Sequence, residues 1–248
     1  MIGPMVPSAY LDGRIKGDTR YGASLWKPIR DESLQWLDSK PTSSVVFVAF
    51  GSMAGLAPAQ MGEVASSLKK YGRPFVWVVK ESELCNLPEG FQQSVEDQGL
   101  VVTWCEQLEV LSHKAVGCFV THCGWNSSLE GLSIGVPMVA MPQWADQPTN
   151  AKLLEEGLGV GLRAKANEGG IVSGEEMERC IREVMEEGEM GKKIKENGKK
   201  WKELAKQAVD EGGSSDMVIQ ELVAALESRR NGRAVIDGCT PCARPHDQ

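Results

Sequence analysis

From Val45 onward the chain alternates between two textures. Short apolar runs rich in β-branched and aromatic residues fall at 45–51, 75–80, 100–104, 116–122 and 137–141. Between them, apolar residues recur at helical spacing over 59–71, 107–112, 126–134 and 146–156. Strands that are apolar on both faces need cover on both faces, so the alternation predicts a parallel sheet with helices on each side. The expected architecture is a doubly wound, Rossmann-like α/β fold. In such sheets ligands bind beyond the carboxyl ends of the strands, near a reversal of strand order. Chemistry is therefore expected in the segments 51–53, 104–107, 122–127 and 142–147.

The two ends read differently. Residues 1–44 are rich in Pro, Gly, Asp and Ser, with one weak helical pattern at 33–39, and predict an irregular linker. Residues 173–228 become long, helical and densely charged. The stretch 192–206 holds seven lysines and two glutamates, alternating with Ile194, Trp201 and Leu204, which is the pattern of a solvated helical face. Gly212-Gly213-Ser214-Ser215-Asp216 predicts a stop and a capped restart, with the last helix running to about Glu227. This divides the chain into a linker-like 1–44, a ligand-binding domain over 45–213, a closing helix over 214–228 and a disordered tail over 229–248. A lone Cys239-x-x-Cys242 with His246 in that tail is a weak metal or redox signal.

Composition narrows the classes. A chain of 248 residues, 42% apolar and 25% charged, can bury a sizeable core without staples. Its longest apolar run, Val45 to Phe50, is far shorter than the roughly 18 residues a membrane span needs. The start Met1-Ile2-Gly3-Pro4 lacks the basic and apolar stretches of a secretory signal. A formal charge of −7 argues against a nucleic-acid surface. Cys85, Cys105, Cys118, Cys123 and Cys180 lie in or beside apolar segments, as small buried hydrophobes do, so a reducing cytoplasmic setting is expected.

The strand ends carry the chemistry. His122-Cys123-Gly124-Trp125-Asn126-Ser127-Ser128 stands where a strand gives way to a helix. Small residues there leave backbone N–H groups at a helix N-terminus, an arrangement that binds phosphate; a plain N-cap by Asn126 or Ser127 is the simpler alternative. Glu130 follows one turn later on the same face and can accept from a sugar diol. Trp104 either stacks on a flat base or fills core. Asp146 and Gln147 open another helix, with Asp146 suited to capping it or to binding hydroxyls. Base, diol, diphosphate and polyol partners together outline a nucleotide-sugar. No Walker A sequence occurs and no GxGxxG follows a strand. No Asp-x-Asp pair is present to hold a metal, so helix dipole and neutral donors would neutralise the diphosphate. A zinc site from Cys105, Cys118, His122 and Cys123 is disfavoured because His122 and Cys123 are adjacent on a strand and face opposite ways. A Cys–His nucleophile fails on the same ground. His113, among Val110, Leu111 and Ala115, reads as a packed, hydrogen-bonded core histidine.

Residues 104–147, WCEQLEVLSHKAVGCFVTHCGWNSSLEGLSIGVPMVAMPQWADQ, resemble the signature box of plant secondary-product UDP-glycosyltransferases. The opening WCxQ, the central HCGWNS, the following Glu, GVP and the closing DQ stand in register. The resemblance runs from about residue 2 to 227. It implies the C-terminal half of a GT-B fold, two Rossmann-like domains facing across a cleft, with UDP-glucose as donor and no metal or other cofactor. Its flanks are most similar to enzymes glucosylating small acids, terpenoids and steroids. Carried over residue by residue, Trp104 would stack on uracil and the Cys105 backbone would bond its edge. Gln107 and Glu130 would hold the ribose. Ser52, His122, Trp125 (through its backbone), Asn126 and Ser127 would cradle the phosphates, and Asp146 and Gln147 the sugar. The closing Gln is the glucose user's residue. The family's catalytic His–Asp base lies in an N-terminal acceptor domain that this sequence does not match; none of His113, His122 and His246 corresponds to it. Two functions follow as expectations: the donor half of an inverting glucosyltransferase of small lipophilic metabolites, or a non-catalytic UDP-sugar-binding module.

Overall fold

The computed structural model describes residues 3–18, 30–53, 55–186 and 188–230. Its centre is a six-stranded, wholly parallel sheet formed by β1 (Val45–Ala49), β2 (Phe75–Val78), β3 (Gly99–Val102), β4 (Val116–Thr121), β5 (Met138–Ala140) and β6 (Gly161–Arg163), in the order β3-β2-β1-β4-β5-β6. Every residue of β1, β4 and β5 is buried, whereas edge strands β3 and β6 are only partly so. That gradient is why the middle strands read as unbroken apolar runs. The five predicted strands lie where expected, each one or two residues shorter than its apolar run, with β3 beginning one residue early. The sixth was not expected: Gly161-Leu162-Arg163 is three residues long and only half covered, too little to show as a run.

Helices cover both faces. On one side α3 (Pro58–Tyr71) and α8 (Gly174–Met185) pack on Val46, Val48, Cys118 and Val120 through Met61, Val64, Leu68, Met177 and Ile181. On the other, Phe47 and Phe119 stack at 5.2 Å between centroids. There α6 (Trp125–Ile134) comes in so close that a Cβ at Gly131 would lie 2.8 Å from Met138 Sδ. The helix α5 (Gln107–Ser112) has the expected bounds. The predicted helix over 146–156 is instead α7 (Gln147–Lys152) continued by a π-helical turn, Leu153–Gly157.

The linker-like N-terminal region contains a short α1 (Ser8–Leu11), which was not anticipated, and α2 (Arg30–Asp38), close to the weak pattern at 33–39. A four-residue α4 (Phe91–Ser94) and a 3-10 turn, Glu81–Asn86, also escaped the pattern. The charged region 173–228 is not one run. It is divided into α8, α9 (Glu189–Val209) and α10 (Ser214–Arg230). Ser173 caps α8 by accepting the Glu176 N–H at 3.2 Å. The restart predicted at 212–216 is present: Asp216 accepts the Gly212 N–H at 2.9 Å. The tail pattern of Cys239, Cys242 and His246 lies outside the described residues.

The described residues fall into two compact units, one within 6–206, the other joining 3–5 to 207–230. Within the second, Ser215 Oγ accepts the Gly3 N–H at 2.9 Å and donates to the Gly3 carbonyl at 2.6 Å. Among the described residues, no helix is long and apolar enough to cross a membrane.

Candidate functional site

Strand order reverses between β1 and β4, and a cavity of about 550 Å³ opens beyond the carboxyl ends of these strands. That is the location the doubly wound architecture dictates, and the volume suits a small organic ligand. Ser52, Trp104, Cys105, Gln107, His122, Trp125, Asn126, Ser127, Glu130, Asp146 and Gln147 all line it. Residues separated by nearly a hundred positions thus converge on one surface.

The centre of the cavity is built on glycine. After β1 the chain turns at Gly51, with φ +73°, and after β4 it enters α6 through Gly124. The His122 imidazole lies between them: a Cβ at Gly51 would approach Nε2 to 2.6 Å, and one at Gly124 to 2.5 Å. Gly124 is itself the N-cap of α6, with no side-chain cap, so the simpler alternative of a plain cap by Asn126 or Ser127 does not hold. Their side chains line the cavity instead, and the first-turn N–H groups point the helix's positive end into it. Burial holds the His122 pKa below its ordinary value, against an opposing pull from the Asp146 carboxylate. The ring is therefore neutral at pH 7. Its Nδ1 is buried without a partner, so a single proton on Nε2 would make it a neutral donor toward the cavity.

At one end, α5 brings Gln107 against α6. Gln107 Nε2 donates to Ser127 Oγ at 2.9 Å and to Glu130 Oε2 at 2.6 Å. Both amide hydrogens are committed, and the Gln107 carbonyl oxygen remains as an acceptor. Glu130 is only 4% exposed, so its carboxylate is held in place by the protein rather than by water. Trp104 is half-buried at the cavity wall, which favours the stacking alternative over a core role. Tyr10 adds a wall residue that no sequence pattern flagged; its hydroxyl bonds Glu109 Oε1 at 3.1 Å.

At the other end stand Asp146 and Gln147. Asp146 does not cap α7 with its side chain; its carboxylate accepts from Asn150 Nδ2 at 2.7 Å. Gln147 Oε1 accepts the N–H groups of Gln143 and Trp144, at 2.8 and 3.1 Å. Its oxygen thus pins the preceding loop and its NH2 is the part left for a ligand. Among the lining residues outside the expected segments are two charged ones, Lys80 and Glu83. Lys80 pairs with Glu83 at 3.3 Å and donates to the Ser52 carbonyl at 3.5 Å. Lys80 closes the apolar run 75–80, and applying the strand-end rule there as well would have found it.

The remaining candidates lie elsewhere or are inert. Burial pushes the Cys105 and Cys123 thiols up to about 12, so neither is a thiolate nucleophile at neutral pH. Cys118 is wholly buried and raised likewise. Among the described residues no group of three or more His, Cys, Asp and Glu could hold a metal ion. His113 is hydrogen-bonded as expected but stands at the margin of the core, its side chain 14% exposed, donating from Nε2 to Asp38 at 3.2 Å and accepting the Ala115 N–H at Nδ1. That His–Asp pair does not line the cavity.

Comparison with known proteins agrees with this geometry. The family model described as "UDP-glucoronosyl and UDP-glucosyl transferase" matches residues 13–207. Mogroside I-E synthase of Siraitia grosvenorii is 55% identical over 226 residues, 91% of this chain and 50% of that protein. UDP-glycosyltransferase 74B1 of Arabidopsis thaliana is 55% identical over 227 residues, 91% of this chain and 49% of that protein. The crystal structure of Os79 from O. sativa in complex with UDP superposes with a TM-score of 0.85 at 44% identity, over 91% of this chain and 50% of that one. The same protein has been solved with U2F and trichothecene (TM-score 0.80, 43% identity, 91% of this chain and 48% of that one). The chain spans about half the length of the relatives it matches. With its parallel six-stranded sheet and its cavity at the strand ends, this chain belongs to the plant UDP-glycosyltransferase family.

Proposed function

We propose that this chain is the C-terminal, donor-binding half of a UDP-glucose-dependent, inverting glucosyltransferase of small lipophilic metabolites. The observation that carries the reading is the convergence of all eleven candidate residues on one cavity at the reversal of strand order. Trp104 stacks on uracil, the Cys105 backbone bonds the base edge, and the paired Gln107 and Glu130 take the ribose hydroxyls. The diphosphate lies at the N-terminus of α6, on the N–H of Trp125, on Asn126, Ser127 and Ser52, and on the neutral His122. Helix dipole and neutral donors meet its charge without a metal. Glucose extends to Asp146 and the Gln147 amide. The resident UDP in Os79 supports this assignment by likeness.

Transfer needs a base to take the proton from the acceptor hydroxyl as that oxygen attacks the anomeric carbon and UDP leaves. His122 is committed to the phosphate turn, and the His113–Asp38 pair is outside the cavity. The base and the acceptor pocket therefore belong to the other half of the full-length enzymes. The same observation favours a second reading, a UDP-sugar-binding module without transfer of its own.

Calorimetric titration of the 248-residue chain with UDP and UDP-glucose, in EDTA, tests the donor assignment. Saturable one-to-one binding, unchanged when magnesium replaces EDTA, is expected. A folded sample that binds neither ligand would overturn it. Adding an N-terminal half from a relative and assaying glucosyl transfer separates the two readings: transfer supports the enzyme half, and its absence from a formed complex supports the module.

A further inference from the structure

Asn150 lies on α7, is 7% exposed, and has no place among the residues read from the sequence as ligand-binding. Its Nδ2 donates to two acceptors on different loops: the Cys123 carbonyl at 3.0 Å and Asp146 Oδ2 at 2.7 Å. The first acceptor belongs to the turn leading from β4 into α6. The second is the carboxylate at the far end of the cavity. A carbonyl and a carboxylate are both acceptors, so only a group with two hydrogens on one atom satisfies them together, and the orientation of the amide is fixed by that chemistry.

The backbone is unusual at both ends of this bridge. Cys123 has φ +62° and Ala145, next to Asp146, has φ +57°. Outside glycine these left-handed conformations are uncommon, at an expense the surroundings must hold in place. Only three non-glycine residues among those described adopt positive φ, and two of them flank the groups that Asn150 joins.

We propose that Asn150 is a positioning residue that sets the Asp146 carboxylate at a fixed reach from the phosphate turn, and so determines how well the sugar of a nucleotide-sugar is held relative to its diphosphate. The proposal rests on the donor-site reading above. Nothing in it requires Asn150 to touch the ligand. An ordinary one-turn helix pair would add local stability alone and would affect UDP and UDP-glucose alike. A bridge that aims Asp146 acts on the sugar end only.

The test is a pair of affinities, for UDP and for UDP-glucose, measured by calorimetry on the whole chain. In Asn150→Ala the ratio of the two is expected to shift by about tenfold against UDP-glucose, as for other outer positioning contacts, with UDP affinity held within about threefold. Asn150→Asp keeps the shape but faces a third acceptor to the other two, and should shift the ratio at least as far. Asn150→Ser, with one donor, should fall between. In an Asp146→Ala background, replacing Asn150 should no longer move the ratio, because the group it aims is gone. A thermal melt of each variant identifies any that has lost its fold, and the remaining variants then decide. If the wild type binds UDP but folded Asn150 variants keep its ratio, or lose both ligands equally, the positioning role is refuted. If the wild type binds neither ligand, the donor reading itself falls.

Discussion

Gly124→Ala tests the cradle around His122 with little else disturbed. Gly124 has φ −58° and ψ 146°, an ordinary extended conformation, so alanine carries no backbone strain there. What alanine brings is a Cβ 2.5 Å from His122 Nε2 and 3.1 Å from Cε1. The ring must shift to admit it, and since a Cβ at Gly51 would also lie only 2.6 Å from the same nitrogen, the open cavity is the space into which the imidazole can move. Overpacking of this kind costs about 1–3 kcal/mol, and an alanine N-cap adds up to about 1 kcal/mol more. If the displaced imidazole also loses a hydrogen bond to the diphosphate, binding weakens by a further ~1.5–3 kcal/mol. That is roughly a ten- to hundredfold rise in Kd for UDP. Calorimetry gives the affinity and a thermal melt gives the stability. The double variant His122→Ala/Gly124→Ala separates the two effects: the added methyl then occupies emptied space, so stability recovers while UDP affinity stays low. A Gly124→Ala protein that melts lower yet binds UDP within twofold of wild type would refute the role given to His122.

Four other outcomes are expected. Trp104→Ala weakens UDP binding by about 1–3 kcal/mol through lost stacking, and Trp104→Phe by less; calorimetry showing no loss in the alanine variant would return Trp104 to a packing role. Glu130→Gln weakens UDP more than pyrophosphate, and equal losses for both would contradict its place at the ribose. For His122 the sign follows from its lowered pKa. The unfolded chain binds the proton more tightly, so stability is fully present above the ordinary value of about 6.5 and is lost as pH falls through it toward the depressed folded value. His122→Asn should therefore flatten melting temperature against pH over that window, and an unchanged slope would count against the buried neutral ring. Ser173→Ala, which removes the α8 cap outside the cavity lining, should cost about 1 kcal/mol in denaturant unfolding and leave UDP affinity unaltered.

Legibility in the sequence followed burial and locality. The central strands showed because every residue in them is covered, and covered strands must be apolar on both faces. The helix Gln107–Ser112 showed for the opposite reason, a clean division of buried Leu108, Val110 and Leu111 from polar neighbours. Strand Gly161–Arg163 did not, since a half-exposed strand of one leucine between glycine and arginine has no period. The candidate site was legible wherever it coincided with a strand end or with the family signature. What stayed hidden was how its members are held. Gly51 packs on His122 through space from the end of the neighbouring strand, and the His113–Asp38 pair joins residues 75 apart. Asn150 carried a local hint, one turn after Asp146, but its second partner at Cys123 depends on how β4 and β5 lie side by side. At α6 the capping propensity of Asn126 and Ser127 is set aside in favour of a ligand-binding turn; Gly124 is the N-cap, at a position where the imidazole leaves little space for a Cβ.

A crystal structure of the chain with UDP-glucose bound would show whether one cavity at the β1/β4 reversal holds a UDP-sugar in a fixed direction. Uracil is expected on the Trp104 indole, the diphosphate at the N–H groups of Trp125 to Ser127 beside His122, and glucose between Asp146 and Gln147. Ligand bound in the reverse direction, or seated anywhere but this cavity, would contradict that placement.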